Sequence, residues 1–323
     1  MASLRVVFMG SPDFAVPCLD ALLRTEQVVA VVTQPDKPAG RGLGLLAPAV
    51  KVRALAAGVP VLQPASVRKP PFLDELKALR PDVMVVVAYG KILPPEVLAV
   101  APHGCLNVHG SLLPKYRGAA PIQWAVIRGE RETGVTLMQM DAGMDTGPML
   151  RRRVLALDAT ITAGELYERL APLGAEVLLD GLADLQAGRL VPEKQDDAQA
   201  TMAPMLSKET GRVDFAAGAR AVRDLVRGCD PWPTAFTQLA GSPLKLFKAK
   251  RVSGSGAPGT VIGADRDGLL VACGPPEGDG DGPNGARNAV AFGELQLPGK
   301  RRMPAAALLA GHPIAAGTRL GAP

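Results

Sequence analysis

Three short apolar runs, largely β-branched, govern what this chain can become: residues 4–9 (LRVVFM), 28–33 (VVAVVT) and 81–88 (PDVMVVVA). Runs of this length without polar alternation suit strands buried on both faces, as in a parallel sheet covered by helices. Segments of helical period lie between them, at residues 13–25 (Phe14, Val16, Leu19, Leu22 and Leu23 on one stripe) and 72–79. Residues 105–109 (CLNVH), 134–140 (GVTLMQM) and 149–157 read as further strands and 120–128 as a helix. Residues 162–190 read as a long helix that Pro172 should kink or break. This alternation predicts an α/β fold with an open, mostly parallel sheet. The polar, aperiodic stretch 192–204 (PEKQDDAQATMAP) predicts a linker, giving a first domain over 1–190, a linker over 191–206 and a second domain over 207–323. In the second domain a helix at 219–227 precedes short β runs at 234–238, 244–249, 260–262, 269–272 and 289–297. Gly/Pro turns separate them, which predicts a small β-barrel. Residues 274–288, rich in Gly, Pro and Asp, read as a mobile loop.

A chain of 323 residues, 47% hydrophobic and 21% charged, can bury two cores of this kind. No apolar run approaches the roughly 18–20 residues of a membrane span, and the opening run suits a strand better than a signal peptide. The four cysteines, Cys18, Cys105, Cys229 and Cys273, lie far apart with no CxxC pair. That argues against a disulfide scaffold or a structural zinc site and suits a reducing cytosol. Charge is unevenly shared: residues 207–323 hold 15 Lys+Arg against 10 Asp+Glu, which is the whole net +5. A neutral first domain and a basic second one predict a catalytic part joined to a module that meets a polyanion; solubility alone is the alternative meaning.

The first strand is followed by GSPDF, with one glycine where a dinucleotide fingerprint needs three, and no GxxxxGK[ST] occurs. The chain therefore reads as neither an NAD enzyme nor a P-loop NTPase. The glycine-rich stretch 40–44 (GRGLG) follows the second strand and reads as flexible. The chemistry concentrates in residues 103–121 (HGCLNVHGSLLPKYRGAAP) and 134–150 (GVTLMQMDAGMDTGPML). Asn107 and His109, two apart on a strand, leave the same face at its C-terminal end, where open α/β sheets place ligands. Asp145 follows the next strand among Gly143 and Gly147. An amide, an imidazole and a carboxylate together offer an oxyanion donor, an acid/base and a group that orients the ring. They need no serine or cysteine nucleophile and suit attack by a substrate amine on an acyl group. On spacing alone, Asn-x-His more often means a structural hydrogen-bonding pair, and a Gly-flanked Asp a turn residue.

The strings NVH (107–109), SLLPKYRG (111–118) and DAGMDTG (141–147) resemble the folate-dependent formyltransferases. GSPDFA (10–15), PDKPAGRG (35–42) and AYG (88–90) extend the resemblance through the first domain. RGCDPWP (227–233), PGT (258–260), LQLPGKRRM (295–303) and GHP (311–313) carry it through the second, and point within the family to the branch acting on charged tRNA. The resemblance implies a Rossmann-like formyltransferase domain followed by an OB-like β-barrel that helps hold tRNA. It implies transfer of a formyl group from 10-formyltetrahydrofolate, without a metal, to the α-amine of methionyl initiator tRNA. Asn107, His109 and Asp145 would be catalytic. Val87, Ala88, Tyr89 and Gly90 would bind folate, with Ser111, Leu112, Leu113, Pro114, Asp141 and Gly143.

The long connection 34–51 would reach toward the tRNA acceptor end through Lys37, Arg41 and Lys51, although residues 43–46 (LGLL) stand where the family often has basic residues. Lys300, Arg301 and Arg302 would contact tRNA from the second domain. Arg151, Arg152 and Arg153 open a predicted strand, so alternation keeps them from facing one partner. Trp232, between two prolines, reads as a packing anchor, and His103 and His312 as structural residues. The expectation is a monomeric cytoplasmic enzyme with neither membrane nor DNA partner. The rivals are a formyltransferase for a small amine (glycinamide ribonucleotide or an amino sugar) and a non-catalytic tRNA-binding protein. A small acceptor needs neither the basic domain nor the 35–42 loop.

Overall fold

The computed structural model describes residues 3–39, 44–274 and 287–321. Arg41 with most of the glycine-rich stretch, and most of the loop expected to be mobile at 274–288, lie outside the described residues. The chain divides into two compact units. The first is Met1–Pro121, Glu132–Ala156 and Tyr167–Pro204; the second is Ile122–Arg131, Leu157–Leu166 and Met205–Pro323.

The strands of the first unit are β1 (Arg5–Gly10), β2 (Gln27–Val32), β3 (Lys37–Ala39), β4 (Gly44–Leu46), β5 (Val61–Leu62), β6 (Val83–Val87), β7 (Cys105–His109), β8 (Glu132–Gln139) and β9 (Met149–Ala156). The helices before the second unit's main segment are α1 (Val16–Thr25), α2 (Ala49–Ala56), α3 (Pro70–Leu79), α4 (Pro95–Leu98), α5 (Pro121–Ile127) and α6 (Ala163–Gln186). Seven strands form one sheet in the order β5-β2-β1-β6-β7-β8-β9, parallel from β5 to β7, with β8 and β9 antiparallel. This is the mostly parallel α/β sheet that the apolar runs predict. Val83–Val87 is buried at every position, as a central strand covered on both faces must be.

From β1 the chain crosses to β2 on one side of the sheet and later to β6 on the other, so the order reverses between β1 and β6. Such a reversal opens a crevice beyond the carboxyl ends of the strands. At that edge a Cβ on Gly10 would lie 2.9 Å from the Val87 carbonyl oxygen, so a side chain there would force the strand ends apart.

Pro172 does not end α6, which continues to Gln186. The cost of an interior proline is outweighed by burial: Leu166, Leu170, Leu178 and Leu182 are each at most 1% exposed. Two glycines let the helix lie close to the sheet: a Cβ on Gly174 would come within 3.0 Å of Val108, and one on Gly181 within 2.1 Å of Leu137. Tyr167 on this helix donates to the Asp13 carboxylate and accepts from the Phe14 N–H at 3.0 Å, holding the turn after β1. The connection expected over 34–51 contains the β3–β4 hairpin and the start of α2, a helix whose period is too weak to read from sequence.

The second unit is built on β10 (Phe236–Leu239), β11 (Ser242–Val252), β12 (Val261–Asp265), β13 (Gly268–Ala272), β14 (Ala289–Gln296) and β15 (Met303–Pro304), with α7 (Gly218–Gly228) and α8 (Ala305–Gly311). The strands pair antiparallel in the order β10-β11-β14-β13-β12, with β15 on β14. Its core joins Val222 and Val226 of α7 to Leu244, Leu246, Val271 and Phe292 of the sheet. Trp232 departs from the packing role expected of it, since the residue is 53% exposed.

Candidate active site

Strand β7 carries the first two candidate groups. It lies between β6, where Val86 faces Asn107, and β8, where Met138 faces Asn107 and Thr136 faces His109. Asn107 is half-buried and His109 buried. Being two residues apart, their side chains share one face of the sheet. After β7 the chain turns through residues 110–120 and its backbone is pinned at three points. Thr136 Oγ1 donates to the Ser111 carbonyl at 2.7 Å and accepts from the Leu113 N–H at 3.1 Å. Ser111 Oγ donates to the Lys115 carbonyl at 2.7 Å.

That turn brings residues 116–118 over the imidazole. His109 Nε2 lies 2.9 Å from the Tyr116 carbonyl oxygen, which can only accept, so Nε2 carries a hydrogen. Nδ1 then faces Asp145, whose Oδ2 is 3.7 Å away. This exceeds a hydrogen bond but is close for an ion pair, the kind of separation that tightens when substrate binds. The same Asp145 oxygen accepts from the Gly118 N–H at 2.8 Å. Asp145 has φ +55, in the left-handed region that a non-glycine residue occupies only when its surroundings hold it there.

An open cleft of about 150 Å³ lies beside this pair. Ile92, Leu93, Met138, Met140 and Met144 form an apolar wall, and Asp141, Gly143 and Asp145 an edge. Of the residues expected to bind folate, Asp141 and Gly143 thus line the cleft. Val87 ends β6, and Ala88, Tyr89 and Gly90 form the turn leading into Lys91; of these, Lys91 lines the cleft. Ala88 (φ +48) and Gly90 (φ +78) reverse the chain there, and the Tyr89 carbonyl accepts from Gln34 Nε2 at 2.8 Å. Burial pushes the Tyr89 phenol up to about 12, so it stays neutral. Ser111, Leu112, Leu113 and Pro114 are not among the residues lining this cleft and belong to the turn that follows β7. The Asp141 carboxylate is turned onto its own loop, accepting from the Gly143 N–H at 3.0 Å and from Thr146 Oγ1 at 2.7 Å. Among the described residues no group of His, Cys, Asp and Glu could hold a metal ion, and no helix is long and apolar enough to cross a membrane.

The basic residues expected to meet tRNA differ in how far their charge is committed. Lys37, Lys300 and Arg301 are exposed. Lys51 Nζ sits 2.7 Å from Asp36 Oδ2, and that contact, with a hydrogen bond from Gln63, holds the Asp36 carboxyl below its usual range. Arg302 pairs with Asp230 at 3.1 Å and with Glu294, and lies 4.0 Å over the Phe247 ring. Arg151 and Arg153 turn to acids of α6, while Arg152 turns to Glu193.

The family model described as "Formyl transferase" matches residues 4–182, and "Formyl transferase, C-terminal domain" matches 205–313. The methionyl-tRNA formyltransferase of Citrifermentans bemidjiense is 49% identical over 99% of this chain and 98% of its own. That of Desulfotalea psychrophila is 52% identical over 98% and 96%. This chain belongs to the formyl transferase family. It is an enzyme of formyl transfer, of the family's two-domain form. Among solved structures, HypX from Aquifex aeolicus in complex with tetrahydrofolic acid is similar in fold, with a TM-score of 0.60 and 19% identity. That match covers 95% of this chain, which spans about half of the longer protein (47%).

Two groups at the site escaped sequence reading. Arg117 and Gln195 are buried and hydrogen-bonded to each other beside the Asp145 loop. Gln195 falls in the stretch that composition marks as linker, where no periodicity separates a buried amide from a solvated one.

Proposed function

We propose that the chain transfers a formyl group from 10-formyltetrahydrofolate to the α-amine of methionyl initiator tRNA, acting as a monomer in the cytoplasm. The observation that carries the acceptor is identity of about one half, along the full length of both units, to relatives named for that reaction. The cleft supports the donor. Its methionine- and leucine-containing wall suits a pterin ring, and the polar backbone of its edge suits the ring's hydrogen-bonding rim.

The attacking amine must be neutral, and a free α-amine titrates near 7.7–8.0, so a useful fraction is nucleophilic near neutrality. Its lone pair forms a bond to the formyl carbon while negative charge grows on the formyl oxygen. Asn107 donates to that oxygen from its amide. His109 donates from Nδ1, because Nε2 is committed to the Tyr116 carbonyl. Loss of one such donor typically costs about 10²–10³-fold in turnover. Asp145 balances the imidazolium charge and relays the proton from the amine toward N10 of the folate. The bond between N10 and the formyl carbon then breaks, leaving formylated amine and tetrahydrofolate.

Formylation by the purified chain of charged initiator tRNA, with glycinamide ribonucleotide run in parallel, tests this reading. Only the charged tRNA is expected to accept the formyl group. Product from the small amine alone would overturn the assignment.

A further inference from the structure

We propose that Gln195 is a positioning residue for Asp145: its side-chain amide clamps the 145–147 loop to Arg117 and so sets the distance from the carboxylate to His109. The proposal rests on the reading of Asp145 as part of the reacting site.

The Gln195 side chain is fully used. Its Nε2 donates to the Asp145 carbonyl at 2.8 Å and to the Gly147 carbonyl at 2.7 Å. Its Oε1 accepts from Arg117 Nε at 3.0 Å and Nη2 at 2.8 Å. Two donors and two acceptor sites are all that a primary amide has. The partners also settle which end is which, since two carbonyls can only accept and a guanidinium can only donate. Gln195 is 4% exposed, so water cannot replace a lost partner and each bond is held in a low-dielectric setting.

The clamp closes on a residue held in the left-handed region. At φ +55 Asp145 needs external support, and its carbonyl bond to Gln195 provides it on one side while the Gly118 N–H holds its carboxylate on the other. Both supports share one foundation. Arg117 precedes Gly118, and its guanidinium also reaches Asp197 at 2.7 Å. Its N–H donates to the Thr201 carbonyl at 2.8 Å, and its own carbonyl accepts from Ala203 N–H at 2.7 Å. Tyr116, which holds His109 Nε2, is tied down as well, by Thr201 Oγ1 at 2.9 Å from its N–H. Residues 195–203 are thus a strap that fixes the three-residue bridge between His109 and Asp145, and Gln195 is its one link to the Asp145 main chain among the described residues. A misplacement of about 1 Å at such a pair is enough for a loss on the order of 100-fold.

The test is Gln195→Glu in the full-length enzyme. A glutamate keeps acceptors for Arg117 but sets carboxylate oxygens against the two carbonyls of the loop. Expected are a fall in kcat of roughly 10–100-fold, KM values for folate and charged tRNA within about threefold, and a shifted pH profile of kcat. In an Asp145→Asn background the same change should cost nothing further, because the residues act as one unit. Full activity in Gln195→Glu, a loss confined to KM, or an additive loss in the double variant would each overturn the proposal. Asp145→Asn with undiminished kcat would instead overturn the reading beneath it, and the two failures are told apart by that single variant. If Gln195→Glu does not fold, Gln195→Met, similar in length and uncharged, is measured in its place. Failure of both to fold would assign Gln195 to stability and overturn positioning.

Discussion

The imidazole of His109 has one nitrogen free for chemistry because the other is bound to a carbonyl seven residues on. That carbonyl and the N–H that holds Asp145 come from residues 116 and 118. Gly118 sits at φ +122, and a Cβ there would lie 2.7 Å from the Ala203 carbonyl oxygen. Neither the dihedral nor the space tolerates a side chain. Gly118→Ala should therefore push the bridge away from the strap and draw its N–H off Asp145. Turnover is expected to fall by roughly 10²-fold with little change in KM, and steady-state kinetics decides the matter; wild-type kcat in this variant would refute the role of the bridge. The buried thiols mark the opposite extreme. Burial pushes Cys18, Cys105, Cys229 and Cys273 up to about 12, so all four should resist a disulfide reagent at pH 8 until the chain is unfolded. Rapid labelling of the native protein would contradict this.

At the scale of elements, charge on the sheet of the second unit is arranged around β14. Glu294 accepts from Lys248 of the neighbouring strand β11 and from Arg302 beside β15, and these partners hold its carboxyl below the usual carboxylate range. A depressed folded-state value contributes stability above the unfolded value, and that contribution is lost as pH falls through the folded value. Glu294→Gln should thus lower the thermal midpoint at pH 7, by an amount consistent with up to about 1 kcal/mol for a partly exposed pair. The difference from wild type should vanish well below pH 4, as calorimetry at the two pH values can show. An equal deficit at both would mean packing rather than charge. In the first unit, strand β9 illustrates how alternation distributes charge: Arg151 and Arg153 reach α6 and Arg152 reaches Glu193, so a run of three arginines is spent on neighbours.

Over the whole molecule, the chain order and the compact units do not coincide. Ile122–Arg131 and Leu157–Leu166 come before the boundary suggested by composition yet belong to the second unit. Ile127 packs on that unit's core, and Arg227, 6% exposed, donates to the Ile161 carbonyl at 2.8 Å. A fragment of residues 205–323 would lack both segments, leaving a buried guanidinium with an acceptor removed. It should lose its cooperative thermal transition or melt far below the full chain, as circular dichroism would reveal. A fragment that melts like the intact protein would show the two segments to be dispensable.

Much of this was legible in the order of residues. Apolar β-branched runs and helical stripes specify strands and helices because burial on one or two faces demands those periods, and the parallel sheet follows from their alternation. The strings around Asn107, His109 and Asp145 resemble the family to which the matches along both units assign the chain. What the order could not disclose is the contact made across 50 residues between Gln195 and Asp145, the bridge at 116–118 under Ala203, and the persistence of α6 through Pro172. Each depends on a partner brought near only by folding. A buried amide and a solvated one are the same letter until the tertiary structure decides which atoms lie within 3 Å of it.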